Sequence, residues 1–392
     1  MIIVPEQPTG AEPRDRRRVL FLTGTRADFG KLKPLIQEVA SSPDFEYRIF
    51  ATGMHMLARY GSTILEIEKA GFSYIYPFIN HDSQGVAHMD VTLATSILGL
   101  SHYVREFPPD LIVVHGDRVE TLAGAIVGSL NNILVAHVEG GELSGTVDEL
   151  IRHAVTKLSH LHFVANDEAR SRLIQMGEAA ESVFVIGSPD IDIMLSSTLP
   201  PLEDVRKYYD IPFEDYAVFV YHPVTTELAH LPARFEQVLD GTERSGRHFV
   251  VIYPNNDAGS DIVMDGLERW RDHPRFRMIP SMRFEYFLTL LKYADAIVGN
   301  SSAGVREAPV YGVPTVNIGS RQHSRFSWPT ILDVPEDAVA IEGALRALPA
   351  DRMPSLYFGA GKSAELFAEV LGSPAFWATP RGKQFQDLPA VT

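Results

Sequence analysis

The sequence predicts an α/β protein of two doubly wound domains facing a central cleft, on three observations. At 392 residues the chain is longer than one hydrophobic core accommodates, since single cores stop growing near about 250–300 residues. Short apolar runs alternate with helical patterns along its length, as in βαβ units with a parallel sheet. Polar and charged residues follow directly on several of those runs, where the carboxyl ends of parallel strands line a ligand crevice. Each domain is therefore expected to be Rossmann-like.

Composition narrows the function. Hydrophobic residues at 45% and charged residues at 22% are those of an ordinary folded protein. A formal charge of -15 argues against a nucleic-acid surface, which needs an excess of Lys and Arg. It still permits an anion held by a few local arginines and backbone amides. The absence of cysteine removes disulfides, thiolate nucleophiles and Cys-ligated zinc. No apolar stretch approaches the roughly 20 residues of a membrane span, so a cytoplasmic protein with no membrane partner is expected.

In chain order, a disordered leader is expected over 1–16 and a first domain over 17–195. Its first strand, Arg18–Thr23, runs into Gly24, Thr25, Arg26 and Asp28 before a helix whose first turn is Gly30–Leu32. Arg26 then sits on a strand-to-helix turn that suits an anion; in the plainer reading Asp28 caps the helix and pairs with Arg26. Further strands are expected at Tyr47–Ala51, Leu111–Val114, Leu134–Val138, His162–Ala165 and Val183–Ile186. Helices are expected at Ile64–Ala70, Val91–Phe107, Thr121–Leu130, Val147–Ser159 and Glu168–Met176. The segments GSPDIDIML and STLPPLEDV read as a linker. A second domain over 196–375 follows, with strands Ala217–Tyr221, His248–Ile252, Phe276–Ile279, Ala296–Val298 and Thr315–Asn317. Its last helix, Lys362–Leu371, is a candidate to pack back on the first domain, and 376–392 reads as a tail. GAGKS at 359–363 is no P-loop, because position 356 is leucine and no strand precedes it.

The chemistry concentrates between His115 and His160. One apolar run ends in His115, Gly116, Asp117 and Arg118; the next ends in Glu139, Gly140, Gly141 and Glu142. The following helix carries Asp148 and Arg152 one turn apart. In the second domain His222 ends a strand just before Pro223, where it can donate to a leaving phosphate, move a proton, or serve as a hydrogen-bonded structural histidine. Asn255 ends another strand in what also reads as a simple turn. In VGNSSAGVRE, Ser301, Ser302 and Gly304 open a helix and suit a phosphate, or one serine is only an N-cap. Glu307, about one and two-thirds turns on, is placed to reach a ribose diol. Phe287 is a base-stacking candidate or a core residue, and Arg321, Gln322 and Arg325 are phosphate or cleft-mouth candidates. His153, His160 and His162 match no metal-ligand spacing, so no metal is expected. Together these features describe a nucleotide-diphosphate sugar held between two domains, with carboxylates against the sugar for proton abstraction and return.

The chain resembles the hydrolysing UDP-N-acetylglucosamine (UDP-GlcNAc) 2-epimerases of the bacterial sialic-acid pathway. The motifs that carry the resemblance are TGTRADFGKL, VHGDR, HVEGGELSGTVDELIRHAVTKLSH, HPVTT, PNNDAGS, GNSSAGVREAPVYGVPTVNIGSRQ and FGAGK, in order from Leu22 to Lys362. The resemblance implies a GT-B-type fold and conversion of UDP-GlcNAc and water to N-acetylmannosamine and UDP through 2-acetamidoglucal. It implies no cofactor, since no hydride moves, and a homodimer or homotetramer. By motif position, Asp117, Glu139 and Asp148 match the catalytic carboxylates, with Glu139 or Asp117 as the C2 base, and Arg152 matches the arginine that orients them. His222 matches the histidine near the diphosphate. Arg26, Arg118, Ser301, Ser302 and Arg321 match phosphate or substrate contacts, Asn255 a cleft residue, Phe287 the aromatic on the uracil and Glu307 the ribose ligand. The HGDR, EGGE and IRHA pattern resembles the hydrolysing branch and not the sister enzymes that return UDP-ManNAc. Alternatives are the same chemistry on UDP-2,4-diacetamido-2,4,6-trideoxyglucose, an inverting GT-B glycosyltransferase, and a non-catalytic UDP-sugar sensor.

Overall fold

A computed structural model describes residues 16–57, 62–80, 88–143, 147–224, 227–254, 259–322 and 325–387. The expected leader falls, apart from Arg16, outside the described residues. The chain divides into two compact units: residues up to Ile186 together with those from Ala364 onward, and Gly187–Ser363.

The first unit contains β1 (Arg17–Thr23), α1 (Arg26–Ser41), β2 (Phe45–Ala51), α2 (Ile64–Lys69), β3 (Ile75–Pro77), α3 (Met89–Glu106), β4 (Leu111–His115), α4 (Val119–Leu130), β5 (Leu134–Val138), α5 (Val147–Leu158), β6 (Leu161–Val164), α6 (Asp167–Gln175) and β7 (Val183–Val185). Its strands form one parallel sheet in the order β3-β2-β1-β4-β5-β6-β7. The winding direction reverses between β1 and β4, the point at which such sheets open a crevice beyond their carboxyl ends. β1 and β4 carry uninterrupted apolar runs, VLFL and LIVV, because both of their faces are covered. Val19 and Phe21 of β1 and Leu111 and Val113 of β4 enter one core cluster, while Leu20, Leu22, Ile112 and Val114 enter the other.

The second unit contains α7 (Pro189–Leu195), α8 (Leu202–Tyr209), β8 (Ala217–Val220), α9 (Leu231–Arg244), β9 (Phe249–Ile252), α10 (Ser260–Leu267), β10 (Phe276–Ile279), α11 (Phe284–Tyr293), β11 (Ala296–Gly299), α12 (Glu307–Val310), β12 (Thr315–Ile318), β13 (Ile331–Val334) and α13 (Ala338–Arg346). Its parallel sheet has the order β10-β9-β8-β11-β12-β13, the same winding with the reversal between β8 and β11. Gly299 closes β11 at φ 127°, and any Cβ there would overlap the Val220 carbonyl of β8. Each unit is Rossmann-like.

Two segments and the unit boundary differ from the sequence reading. GSPDIDIML is not linker: Pro189 at the first helical position starts α7, and Ile191 and Met194 are buried. The unit boundary falls before that helix, at Ile186/Gly187. Residues 376–387 are not a free tail. α14 (Ser363–Gly372) and α15 (Pro374–Trp377) bring Phe367, Leu371 and Phe376 into the first unit's core, where Phe367 packs on Phe21 and Phe163. Beyond them, Lys383 Nζ donates to the carbonyls of Thr156 (2.9 Å), Lys157 (3.1 Å) and Ser159 (2.6 Å), capping the end of α5, and ion-pairs with buried Glu178.

Candidate active site

In the first unit the site grows from strand ends. β1 ends in Thr23, and Thr25 caps α1 through a capping box with Asp28. The helix therefore begins at Arg26, one turn earlier than Gly30–Leu32, because Asp28 is its third residue and not its cap. Asp28 also accepts from the Gly24 amide at 2.9 Å and from Thr23 Oγ1. Arg26 pairs with Glu66 of α2 at 2.9 Å and not with Asp28.

β4 ends at His115, and Gly116 at φ 74° turns the chain so that Asp117 meets Arg152 of α5 in an ion pair. Arg152 is 5% exposed and also donates from Nη1 to the Glu142 carbonyl at 2.8 Å. Glu139, the first residue after β5, is 5% exposed and lies in the left-handed region at φ 61°. Side chains are rarely tolerated there, and such outliers concentrate at functional sites. Its Oε2 accepts from Lys31 Nζ of α1 at 2.8 Å and meets His115 Nε2 at 2.9 Å. Asp148 is exposed on the first turn of α5, one turn before Arg152. Arg118 precedes α4, its side chain half exposed and 3.7 Å from Glu120.

Sequence reasoning gave no role to Lys31, Glu120 or His137. Lys31 is a plain helix lysine until the fold carries it beside Glu139. Glu120 is 2% exposed beneath Gly24 and Gly53 and accepts from Asn80 at 3.4 Å. His137 is fully buried in β5, 2.8 Å from the Gly116 carbonyl through Nε2 and 3.1 Å from Thr156 Oγ1 through Nδ1. Burial, with His162 beside it, pushes its imidazole down to about 3.

In the second unit, Asn300 clips the two strands that flank the reversal. Its Oδ1 accepts from the His222 amide and its Nδ2 donates to the His222 carbonyl, both at 2.7 Å. Arg321 and Gln322 donate to the Asn300 carbonyl at 3.1 and 3.0 Å, and Arg325 donates to Gln322 at 2.9 Å. Burial, with the Arg321 charge adding to it, pushes the His222 imidazole down to about 3. His222 is thus a neutral ring at neutral pH, suited to hydrogen bonding and not to carrying charge.

Ser301 caps a single 3-10 turn, Ser302–Gly304, and not a long helix. The α-helix starts only at Glu307 and ends at Val310, with Pro309 inside it. The helix dipole expected behind Ser301 and Ser302 is correspondingly short, and the local donors are loop amides and hydroxyls. Glu307 is half-buried near Tyr311, whose phenol is pushed up by burial, with the Glu307 and Asp190 carboxylates contributing. Phe287 is half-buried on α11 against the core. Asn255 lies outside the described residues.

His160 accepts from the Val135 amide at 3.1 Å and lies 3.0 Å from the Arg381 carbonyl; His162 bonds Glu178 at 3.1 Å. Among the described residues no group of acidic or histidine side chains is arranged to hold a metal ion. None of their helices is long and apolar enough to cross a membrane.

A family model described as UDP-N-acetylglucosamine 2-epimerase matches residues 37–372. The chain belongs to the UDP-N-acetylglucosamine 2-epimerase family. It is 45% identical, over 95% of its length and 99% of the relative's, to a UDP-N-acetylglucosamine 2-epimerase of Neisseria meningitidis serogroup B. It is 34% identical, over 91% and 95%, to a UDP-N,N'-diacetylbacillosamine 2-epimerase (hydrolyzing) of Legionella pneumophila. A solved UDP-GlcNAc 2-epimerase of Methanocaldococcus jannaschii, in complex with UDP-GlcNAc and UDP, superposes with a TM-score of 0.75 at 21% identity, covering 90% of this chain and 99% of that one. Within this family the GT-B-like fold is shared, each unit being a Rossmann-like sheet.

Proposed function

We propose that this epimerase-family chain is a cytoplasmic, homo-oligomeric hydrolysing enzyme that converts UDP-GlcNAc and water to N-acetylmannosamine and UDP, for sialic-acid-type sugar synthesis. A carboxylate takes the C2 proton as the C1–O bond to UDP breaks, giving 2-acetamidoglucal. A second acid then returns a proton to C2 from the opposite face while water adds at C1 and loses its proton. Because no carbonyl activates C2–H, positive charge must build at C1 first, so stabilising the departing diphosphate is half of the catalysis.

In this reading Glu139 or Asp117 is the C2 base, Asp148 completes the acid–base set and Arg152 orients Asp117. Neutral His222 donates to the diphosphate, which Arg26, Arg118, Ser301, Ser302 and Arg321 contact. Asn255 contacts the substrate, Phe287 stacks on uracil and Glu307 binds the ribose. The observation that carries the reading is the 45% identity to a UDP-GlcNAc 2-epimerase across nearly both full chains. The Legionella relative favours a second reading, the same reaction on UDP-N,N'-diacetylbacillosamine.

NMR of the products formed from UDP-GlcNAc in heavy water tests the proposal. Free N-acetylmannosamine with deuterium at C2 and free UDP are expected. Turnover of the diacetylated sugar alone would install the second reading, and a requirement for an acceptor would indicate a glycosyltransferase.

A further inference from the structure

We propose that His137 is a positioning residue of this reaction: its buried ring, bonded at Nε2 to the Gly116 carbonyl and at Nδ1 to Thr156, sets Asp117, Glu139 and Arg152 relative to one another. The inference rests on the function proposed above and adds a residue that touches no substrate.

The hydrogen bonds define the tautomer. A carbonyl oxygen only accepts, so Nε2 carries the proton, and a neutral ring must then accept at Nδ1 from the Thr156 hydroxyl. Burial that holds the imidazole near 3 keeps the ring in this neutral form. The Gly116 carbonyl belongs to the peptide plane whose nitrogen is that of Asp117, so the bond orients that plane at a glycine with φ 74°. Glu139 lies two residues beyond His137 along the chain, and Thr156 lies one helical turn beyond Arg152 on α5. The ring therefore joins the three backbone pieces that carry Asp117, Glu139 and Arg152. It also lies under the glycine loop, since a Cβ at Gly140 would approach His137 Nδ1 to 3.0 Å and Thr156 Oγ1 to 3.1 Å. An apolar side chain would fill this position without the desolvation penalty of a polar ring.

The test compares His137→Gln, His137→Asn and His137→Leu for kcat, KM, UDP affinity and melting temperature. The Gln amide nitrogen stands as many bonds from Cβ as Nε2 and can renew the Gly116 contact; the Asn amide reaches only the Thr156 side. The Leu and Asn variants are expected to lose about 100-fold in kcat with UDP affinity within about twofold, while Gln stays within about tenfold of the parent. Equal losses for Gln and Asn, or losses that follow UDP binding and the folded fraction, would overturn the proposal. If the Leu variant does not fold, Thr156→Val, which removes the Nδ1 donor, must lower kcat, and unchanged turnover would overturn it. Hydrogen exchange at Asp117 needs no substrate: faster exchange in Asn than in Gln is expected, and equal exchange counts against the placement. A parent enzyme inactive on every UDP-sugar refutes the proposed function and leaves this exchange result to judge His137.

Discussion

Replacing Glu139 separates its chemistry from its backbone. As a proton-transfer group it should supply about 10²–10⁴-fold of kcat, so Glu139→Gln should lose that much while UDP affinity stays unchanged. The amide keeps an acceptor oxygen toward Lys31 and His115, which stand 2.8 and 2.9 Å away, but removes the carboxylate charge from both contacts. That change costs about 1–2 kcal/mol, or roughly 2–8 °C in the melting temperature of a unit this size. A second pair of variants isolates the strain at φ 61°. Glu139→Ala loses both ion contacts and keeps the left-handed backbone; Glu139→Gly loses the same contacts and relaxes it. The glycine variant should be more stable by about 1 kcal/mol, net of the extra entropy glycine carries in the unfolded chain. NMR turnover in heavy water, calorimetric UDP binding and thermal melts read all three variants. Glu139→Gln retaining a tenth or more of the parent kcat would refute its role in proton transfer, and Ala melting above Gly would refute the strain.

Acid should weaken the fold before it touches most carboxylates. His137 and His222 are held at about 3, well below the 6.5 of an ordinary imidazole, so the unfolded chain takes up protons first as pH falls. Stability is unaffected by them above about 6.5 and falls as pH drops toward 3, the loss having reached about 1.4 kcal/mol per histidine at pH 5.5. Melting curves between pH 7 and 5 should shift down by several degrees, and a flat profile contradicts the burial argument. Although burial raises Glu178, hydrogen bonds from His162, Lys157 and Lys383 hold its carboxyl down to about 2, so its contribution fades only below 4.5. Lys383→Met should lower the melting temperature by about 5–10 °C, from the loss of roughly 2–3 kcal/mol in the carbonyl cap and the Glu178 pair, with kcat per folded molecule unchanged. Gly299→Ala should destabilise by more than about 3 kcal/mol and express as insoluble protein, because its Cβ would meet the Val220 carbonyl.

The parallel core was legible because strands buried on both faces carry uninterrupted apolar runs, as in VLFL at 19–22 and LIVV at 111–114. β3 and β13 were missed because they are the short outer strands of their sheets, half exposed and without such a run. α7 was missed because a proline that opens a helix also punctuates a linker. Asp117 and Glu139 stood out as candidates because each lies just past an apolar strand, and Arg152 because it sits on a strongly patterned helix one turn after Asp148. Lys31 and His137 could not, since their roles depend on contacts spanning 108 and 21 residues of sequence. The helix expected behind Ser301 was overestimated, as Gly304 and Pro309 confine it to short pieces.

The first Rossmann-like unit is discontinuous along the polypeptide. Phe367, Leu371 and Phe376, which complete its interior, are translated only after the whole of the second unit. On the ribosome, the half that bears the carboxylates must therefore wait, its interior unfinished and its hydrophobic side chains uncovered, while the later half emerges and closes around a continuous stretch of chain. The unit begun first is thus the last to be completed, and its unfinished nascent interior is where exposed apolar surface calls for a chaperone.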